Sequence, residues 1–452
     1  PLLAIVIGIT TPAFVVSSTN VMAEIMMVCF YVWAIHFWML GIEKKKNAYL
    51  FIGALCIAAS TLAKYFGFSL IPLLFVYTLL EIRKPGWWLA HLATAVGIVL
   101  LYEAWTLYMY DIGLLGEAAN FATSYRDENE VSRNTKAFVG LAFTGGCIAI
   151  VTLLSPLLFS RKWQLSIWAT GLYFFFVAYN YPHIFQEQDI LRREYNDWNF
   201  ILHFTIFCVA GLFVLLLPIL DLFTHRNKQS VFLFLWVMGT FLFATQVNWT
   251  ANARSIVPMA PAIGILIGRR LSHVHGDLAF PIRRVGASLT AAVLLAITLA
   301  YADYTLARAG KQAATKITQE YGDEDTTLRF TGHWGNQYYM MQTPHFQPLV
   351  YLPTDFKKGD VLVICDNNTG LFLTDEQRDF AETTEFDIFP YATVWCKSHR
   401  TGFYSDIWGS IPYSFGAIPD EAYHVLISGS DMHVDLGIYK PGSSTPDPIP
   451  LL

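Results

Sequence analysis

Charge is scarce in this chain. Asp, Glu, Lys and Arg make up 14% of its 452 residues, where soluble domains carry about a quarter. The deficit is concentrated in the first 300 residues, where apolar runs alternate with short polar breaks. That excludes an ordinary soluble domain and indicates a polytopic α-helical membrane protein. The net charge of −5 is mild and spread out, so nothing points to nucleic acid as a partner. Spaced His/Cys metal motifs, phosphate-cradling glycine loops and nucleophile elbows are all missing, so no chemistry can be assigned through them. Cysteine is sparse too. Only Cys365 and Cys396 fall outside the apolar runs, and Cys29, Cys56, Cys147 and Cys208 read as small packed residues. An oxidising compartment would permit a Cys365–Cys396 disulfide. The chain opens at Pro1 inside an apolar segment, without a basic n-region or cleavage site, so no signal peptide is read. The expectation is a chain truncated at its N-terminus.

Eleven apolar runs are candidate helices: approximately 1–17, 21–42, 48–63, 66–81, 87–106, 137–159, 164–180, 200–222, 231–248, 255–268 and 285–303. The pair 48–63 and 66–81, split only by Lys64 and Tyr65, could also be one kinked span. Lys/Arg placement arbitrates. Of the 20 basic residues before residue 308, 13 lie in five breaks: Lys44–Lys46, Arg83/Lys84, Arg161/Lys162, Arg226/Lys228, and Arg269, Arg270, Arg283 and Arg284. An eleven-span count puts all five on one side, the cytoplasm. The start of the 21–42 run, the Lys64 turn, Arg254 and the loops 107–136 and 181–199 then lie on the outer face, with everything beyond residue 304.

The expected organisation is a helical membrane domain, 1–304, and a small extracytoplasmic α/β domain, 305–452, with a Pro-rich tail. "TTLRFTGHW", "GDVLVICDN" and "AYHVLISGS" read as strands. "TDEQRDFAETTEF" reads as a helix opening at Thr374, with Gln377 at capping-box spacing. Trp334, Tyr338, Phe403 and Trp408 serve equally well as pocket lining or as core. Asn248-Trp249-Thr250 and Asn367-Asn368-Thr369 match the N-glycosylation pattern, which arises readily by chance.

A few polar residues stand out against the apolar background. Glu24 lies about one turn into a helix that Asn20 would cap. Either the helix dipole favours the carboxylate there, or it faces an outward cavity. Lys64 and Arg254 either snorkel to water or hold an anionic head group. The loop "YPHIFQEQDILRREYNDWN" carries His183, Arg192 and Arg193 and reads first as solvated interface. His36, mid-run, reads as a helix-packing histidine.

Several segments together resemble one family. "TTPAFVVSSTNVMAE" is similar to the segment in polyprenyl-phosphate-sugar-dependent glycosyltransferases where one helix ends in Pro-x-Phe and the next starts with Met-x-Asp/Glu. "GALCIAASTLAKYFGFSLIPLLFVY" is similar to their following hairpin, with a Thr-x-x-Lys-Tyr turn. "ARSIVPMAPAIGILIG" resembles a late span with Arg-x-x-x-Pro-x-x-Pro. "GHWGNQYYM" and "GFYSDIWGSIPYS" resemble the outer domain of bacterial members.

The family is the GT-C superfamily, glycosyltransferase family 39 type, which includes protein O-mannosyltransferases and aminoarabinose lipid A transferases. The resemblance implies a multi-pass enzyme of the inner cell membrane, moving a sugar from a polyprenyl-phosphate donor to a lipid, glycan or protein acceptor. It also implies about two preceding helices, roughly thirteen spans in all, whose first outer loop bears the catalytic aspartate; this chain would start after that loop, and as it stands is expected to lack the general base and be inactive. Glu24 then takes the position of the second acid and is the catalytic candidate, more as site organiser than as sole base. Asn20, Lys64, Tyr65, His183, Arg192, Arg193 and Arg254 are the substrate-binding candidates, with Lys64 and Arg254 on the donor phosphate. No metal ligands and no certain cofactor are expected; a divalent metal is left open. The competing readings are a polytopic transporter or lipid flippase, and a non-catalytic membrane subunit with an outer binding domain.

Overall fold

A computed structural model describes residues 1–120, 133–181, 197–276, 281–322, 328–332, 334–342, 346–348, 354–367, 381–429 and 432–434. The helices that build the membrane part are α1 (Leu2–Ile9), α2 (Pro12–Ser18), α3 (Ala23–Lys44), α4 (Asn47–Ala63), α5 (Leu70–Ile82) and α6 (Trp88–Tyr110). They continue with α7 (Arg133–Cys147), α8 (Ile150–Leu158), α9 (Arg161–Asn180), α10 (Trp198–His225), α11 (Lys228–Leu242), α12 (Ala253–Ile256), α13 (Ala260–His275) and α14 (Ile282–Tyr321). The 1–17 and 137–159 runs are each broken in two. Among the described residues, six segments are long and apolar enough to cross a membrane: Ala23–Lys44, Tyr65–Ile82, Trp88–Tyr110, Trp198–His225, Lys228–Val247 and Ile282–Tyr321. Leu100, Leu101 and Trp105 on α6 are all more than 60% exposed, as an apolar face needs when its solvent is hydrocarbon. The chain is a helical membrane protein.

The pairing of α3, α4 and α5 excludes one kinked span across Lys64. Ser60 Oγ donates to Met27 O at 3.1 Å, and Gly53 packs against Trp38, so α4 runs antiparallel to α3. Tyr31 meets Ser69 at 3.2 Å and Trp38 Nε1 donates to Thr78 at 2.9 Å, so α5 runs parallel to α3. The reversal occurs at Lys64 through a 3-10 turn, Tyr65–Ser69. A Cβ on Gly67 would strike the backbone of Ser60 and Thr61; only glycine lets this turn fold back so tightly.

The basic breaks gather at the opposite end of the bundle. Helices α3, α5 and α10 stop at Lys45, Arg83 and Arg226, each in the left-handed conformation, where a cation also suits the negative helix end. Lys228 pairs with Glu81 at 3.0 Å. Arg269 Nε donates to Asp221 at 2.9 Å and its Nη2 to Ser230 at 2.9 Å. Arg270 donates to Leu158 O at 2.9 Å, satisfying a carbonyl at the α8 end. His36 departs from expectation. It is exposed, edge-on to Trp33 and Phe37, so it packs within its own helix and not between helices.

Beyond the bundle lies a five-stranded sheet. Its strands are β1 (Leu328–Phe330), β2 (Phe346–Pro348), β3 (Val361–Cys365), β4 (Glu382–Phe386) and β5 (Glu421–Ile427), in the order β2-β1-β3-β5-β4. The β1–β2 and β1–β3 pairs are parallel; β5 is antiparallel to β3 and β4. All three strands read from sequence are present. The Thr374 helix is not supported where it can be seen: its second half, Glu382–Phe386, is an edge strand paired with β5. Two adjacent β-branched threonines favour an extended edge there. The Thr374–Gln377 cap itself lies outside the described residues.

The disulfide is also absent, since both cysteines are free and buried. Cys365 lies in β3, with Sγ 3.7 Å from Thr331 O, whereas Cys396 lies in a separate two-residue strand with Sγ 3.2 Å from Ser398. Asn248 and Asn367 are both buried and hydrogen-bonded, so neither offers a free glycosylation amide.

The sheet is tied to the helices in two ways. Helix α14 runs 40 residues without interruption across position 304, and its C-terminal part, Ala313, Ala314 and Ile317, shares a core with Leu328, Phe330, Val363 and Tyr423. Residues 389–415 belong instead to the core of the helical bundle, with Val394, Trp395, Phe403, Tyr404 and Tyr413 packed into it. Phe403 is therefore core and Trp408 packs against it, whereas Tyr338 is exposed.

Candidate functional site

At the end of the bundle away from the basic breaks, six segments spread across 384 positions of sequence converge. Glu24, in the first turn of α3, is 3% exposed. Its Oε1 accepts a hydrogen bond from Lys64 Nζ at 2.7 Å and lies 3.7 Å from Arg254 Nη1. Its Oε2 is buried with no hydrogen-bond partner among the described residues. Arg254 Nη2 donates to Tyr404 O at 3.1 Å, and Nη1 reaches Met22 Sδ at 3.5 Å. Tyr404 O–H donates to Asp303 Oδ2 at 2.7 Å and accepts from Asn20 Nδ2 at 3.1 Å. Burial and the neighbouring Asp303 carboxylate push the Tyr404 phenol well above its usual range, so it stays a neutral donor.

Local sequence explains each placement. Lys64 is held at the reversal by Gly67. Arg254 is set by Asn252, whose Oδ1 accepts from Ser255 N at 2.8 Å and so caps α12. Tyr65 reaches the same segment, its O–H donating to Asn248 Oδ1 at 2.6 Å. Asn248 Nδ2 in turn donates to Thr250 O at 2.7 Å and Ser255 Oγ at 2.9 Å. The loop 403–408 closes over this arch: Ala253 N donates to Phe403 O at 3.0 Å and Asp406 N to Ala251 O at 2.9 Å. Thr250 also bonds Ser405 and Asp406, and burial raises the Asp406 carboxyl above its usual range.

Five sequence candidates are therefore brought together: Asn20, Glu24, Lys64, Tyr65 and Arg254. Asn20 does so in a different role from that expected. Met22 is the N-cap of α3, without a side-chain bond, and the Asn20 amide turns away to Val16 O and Tyr404. His183, Arg192 and Arg193 lie outside the described residues. Sequence reading missed Asp303 and Tyr404. Asp303 carries the same signal as Glu24, a lone acid at the edge of an apolar run, whereas nothing local marks Tyr404.

Lys64 and Arg254 both lie against the one Glu24 carboxylate, so its immediate surroundings are positive, while Asp303, joined through Tyr404, is the second acid of the cluster. At about 4 Å and an effective dielectric near 20, each unit pair is worth about 4 kcal/mol, enough for an anion to choose this place over its surroundings. Four buried polar atoms here lack partners among the described residues: Ser17 Oγ, Asn20 Oδ1, Glu24 Oε2 and Arg254 Nε. Three of them can accept hydrogen bonds and two can donate, a set suited to hydroxyl-bearing and anionic groups. A divalent metal fits poorly, because Glu24 already holds Lys64 and Asp303 already holds Tyr404. No cluster of three or more His, Cys, Asp or Glu with metal-site geometry occurs among the described residues. Comparisons with family models, with curated proteins and with solved structures gave no match.

Proposed function

We propose that this chain is a polytopic membrane glycosyltransferase of GT-C type, transferring a sugar from a polyprenyl-phosphate donor to an acceptor. In this reading all eleven apolar runs enter or cross the bilayer of the cell membrane, and the basic breaks face the cytoplasm. The Glu24 end and the sheet are then extracytoplasmic. The observation that carries the reading is the buried Glu24 carboxylate held between Lys64 and Arg254 with one oxygen uncommitted.

The chemistry suits that arrangement. When an acceptor hydroxyl attacks the anomeric carbon, the bond from that carbon to the phosphate oxygen breaks. The phosphate leaves with added negative charge and the hydroxyl proton passes to a base. Lys64 and Arg254 stabilise the leaving phosphate. Glu24 fixes both cations and offers Oε2 to a donor or acceptor hydroxyl. Tyr404 and Asn20 hold Asp303 and Arg254 in register, so the 403–408 loop acts as a roof that limits water.

The test is transfer by the full-length protein in membranes from a panel of labelled polyprenyl-phosphate sugars, wild type against Glu24→Ala and Lys64→Ala. Loss of transfer in both variants, with folding intact, supports the assignment. Transfer unaffected by either change removes the site from the reaction.

A further inference from the structure

A second cationic feature lies outside the Glu24 cluster, on another face of α14. Where Asp303 turns inward to Tyr404, Tyr304 turns outward and is 59% exposed. From Tyr304 a groove of about 580 Å³ runs along α14, lined by Arg308, Lys311, Gln312 and Lys316 and walled by Tyr339 of the Trp334–Met340 helix. Residues 304, 308, 311, 315 and 319 recur at helical spacing and are all exposed, so they form one stripe.

The stripe is charged and largely uncompensated. Lys316 has an acid, Glu320, at 3.8 Å and donates to Thr384 at 3.3 Å. Arg308 has no ion pair among the described residues, and Lys311 meets only the face of Tyr339, at 5.7 Å. Depth along the helix decides what such a stripe would face. At 1.5 Å per residue, α14 spans roughly 40 Å from Arg284 to Lys311, close to the ~40–45 Å between the two head-group layers of a bilayer. With Arg283 and Arg284 at one head-group layer, Arg308 and Lys311 stand at the other. The exposed Tyr301 and Tyr304 sit one to two turns deeper, where interfacial aromatics collect.

We propose that this groove binds the phosphate of an anionic membrane lipid, with the Arg308 guanidinium as its fork and Lys311 as its second cation. The site is separate from the Glu24 cluster and stands whether or not that cluster transfers sugar. It would hold a lipid head group against the junction where α14 leaves the bilayer and becomes part of the sheet unit's core.

The test uses the purified chain in detergent, titrated with phosphatidylglycerol, phosphatidylcholine or glycerol 3-phosphate and read by native mass spectrometry. The double variant Arg308→Gln/Lys311→Gln should weaken phosphatidylglycerol binding by about tenfold. Lys357→Gln/Lys358→Gln, which removes the same charge from exposed positions that do not line the groove, should leave it unchanged. Unaltered binding in the Arg308/Lys311 variant overturns the proposal, as does equal binding of phosphatidylcholine by the wild type. Glycerol 3-phosphate binding as tightly as the lipid would overturn the membrane occupant in favour of a soluble phosphate. Both residues are exposed, so the variant keeps its fold, which its melting temperature verifies.

Discussion

The two ends of the helical bundle both bury a carboxylate between basic groups, yet they are built differently. At the basic end Asp221 takes Arg269 and its own-helix neighbour His225, both through Oδ1, and Arg269 also reaches Ser230. The partners come from three adjacent helices, and their task is to end helices and tie them together. At the other end Glu24, Lys64, Arg254, Asn20, Asp303 and Tyr404 come from segments far apart in sequence, and a loop from the C-terminal region roofs them. Each end leaves one carboxylate oxygen unbonded among the described residues, Asp221 Oδ2 and Glu24 Oε2, so an orphan atom alone does not mark a site. What separates the two is the long range of sequence that converges at the Glu24 end and the number of its further orphan groups among the described residues, Ser17, Asn20 and Arg254 against His225 Nδ1 alone at the other end. An ion pair that only locks helices needs neither.

The comparison can be broken by mutating matched carboxylates. Glu24→Gln should lower sugar transfer by about 100-fold or more, because it releases both cations from their fixed positions. Asp221→Asn should leave transfer per folded molecule within a few-fold of wild type. Its effect should appear in stability instead, about 3–5 kcal/mol for one partner removed from a buried pair, measured by thermal unfolding in detergent. If both variants lose activity equally at matched folding, the two ends are not functionally distinct.

A third buried acid sharpens the contrast, because it lies outside the membrane. Glu421 in β5 accepts from Asn367 Nδ2 at 2.5 Å, and burial raises its carboxyl from 4.5 to about 7. Between those pH values the folded state holds a proton that the unfolded state has released, so stability falls as pH rises from 4.5 through 7. A shift of that size is worth at most about 3 kcal/mol. Glu421→Gln should flatten this slope. The fluorescence of Trp395, whose Nε1 donates to Asn367 O at 2.6 Å, reports unfolding of that region against pH.

Tyr404→Phe is the mildest change. It removes the bonds to Asp303 and Asn20 but leaves the Arg254 bond to the 404 carbonyl. A cost of about 1–3 kcal/mol is expected for the acceptor left behind, with transfer reduced less than in Glu24→Gln. A loss as deep as that of Glu24→Gln would make Tyr404 a principal member of the site and not part of its roof.

Much of this was legible in the sequence because the background is apolar. A single charge in such a run is conspicuous, so Glu24, Lys64 and Arg254 could be picked out and placed at one level from Lys/Arg asymmetry alone. Asp303 escaped because it ends its run where a domain boundary was drawn, although α14 passes straight through that point. Tyr404 escaped because its importance depends on a contact across 384 residues with Asn20, and short-range pattern carries no such information. The helix read from Thr374 to Phe386 fails at its described end for the same reason. A capping-box spacing is a local preference, and the edge of a sheet supplied by β5 outweighs it at Glu382–Phe386. Cys365 and Cys396 lie on neighbouring segments, since Trp395 and Lys397 both bond Asn367, yet each thiol turns to its own partner, Thr331 O and Ser398, and sequence carries no sign of that divergence.

The most direct measurement is the affinity of the purified chain for a polyprenyl phosphate, comparing Lys64→Gln/Arg254→Gln with Arg269→Gln at the opposite end. Removing two close cations from a phosphate site should weaken binding by about 100-fold at the Glu24 end, with Arg269→Gln at the wild-type value. Equal affinity in all three proteins would contradict the claim that the Glu24 end is where the donor is held.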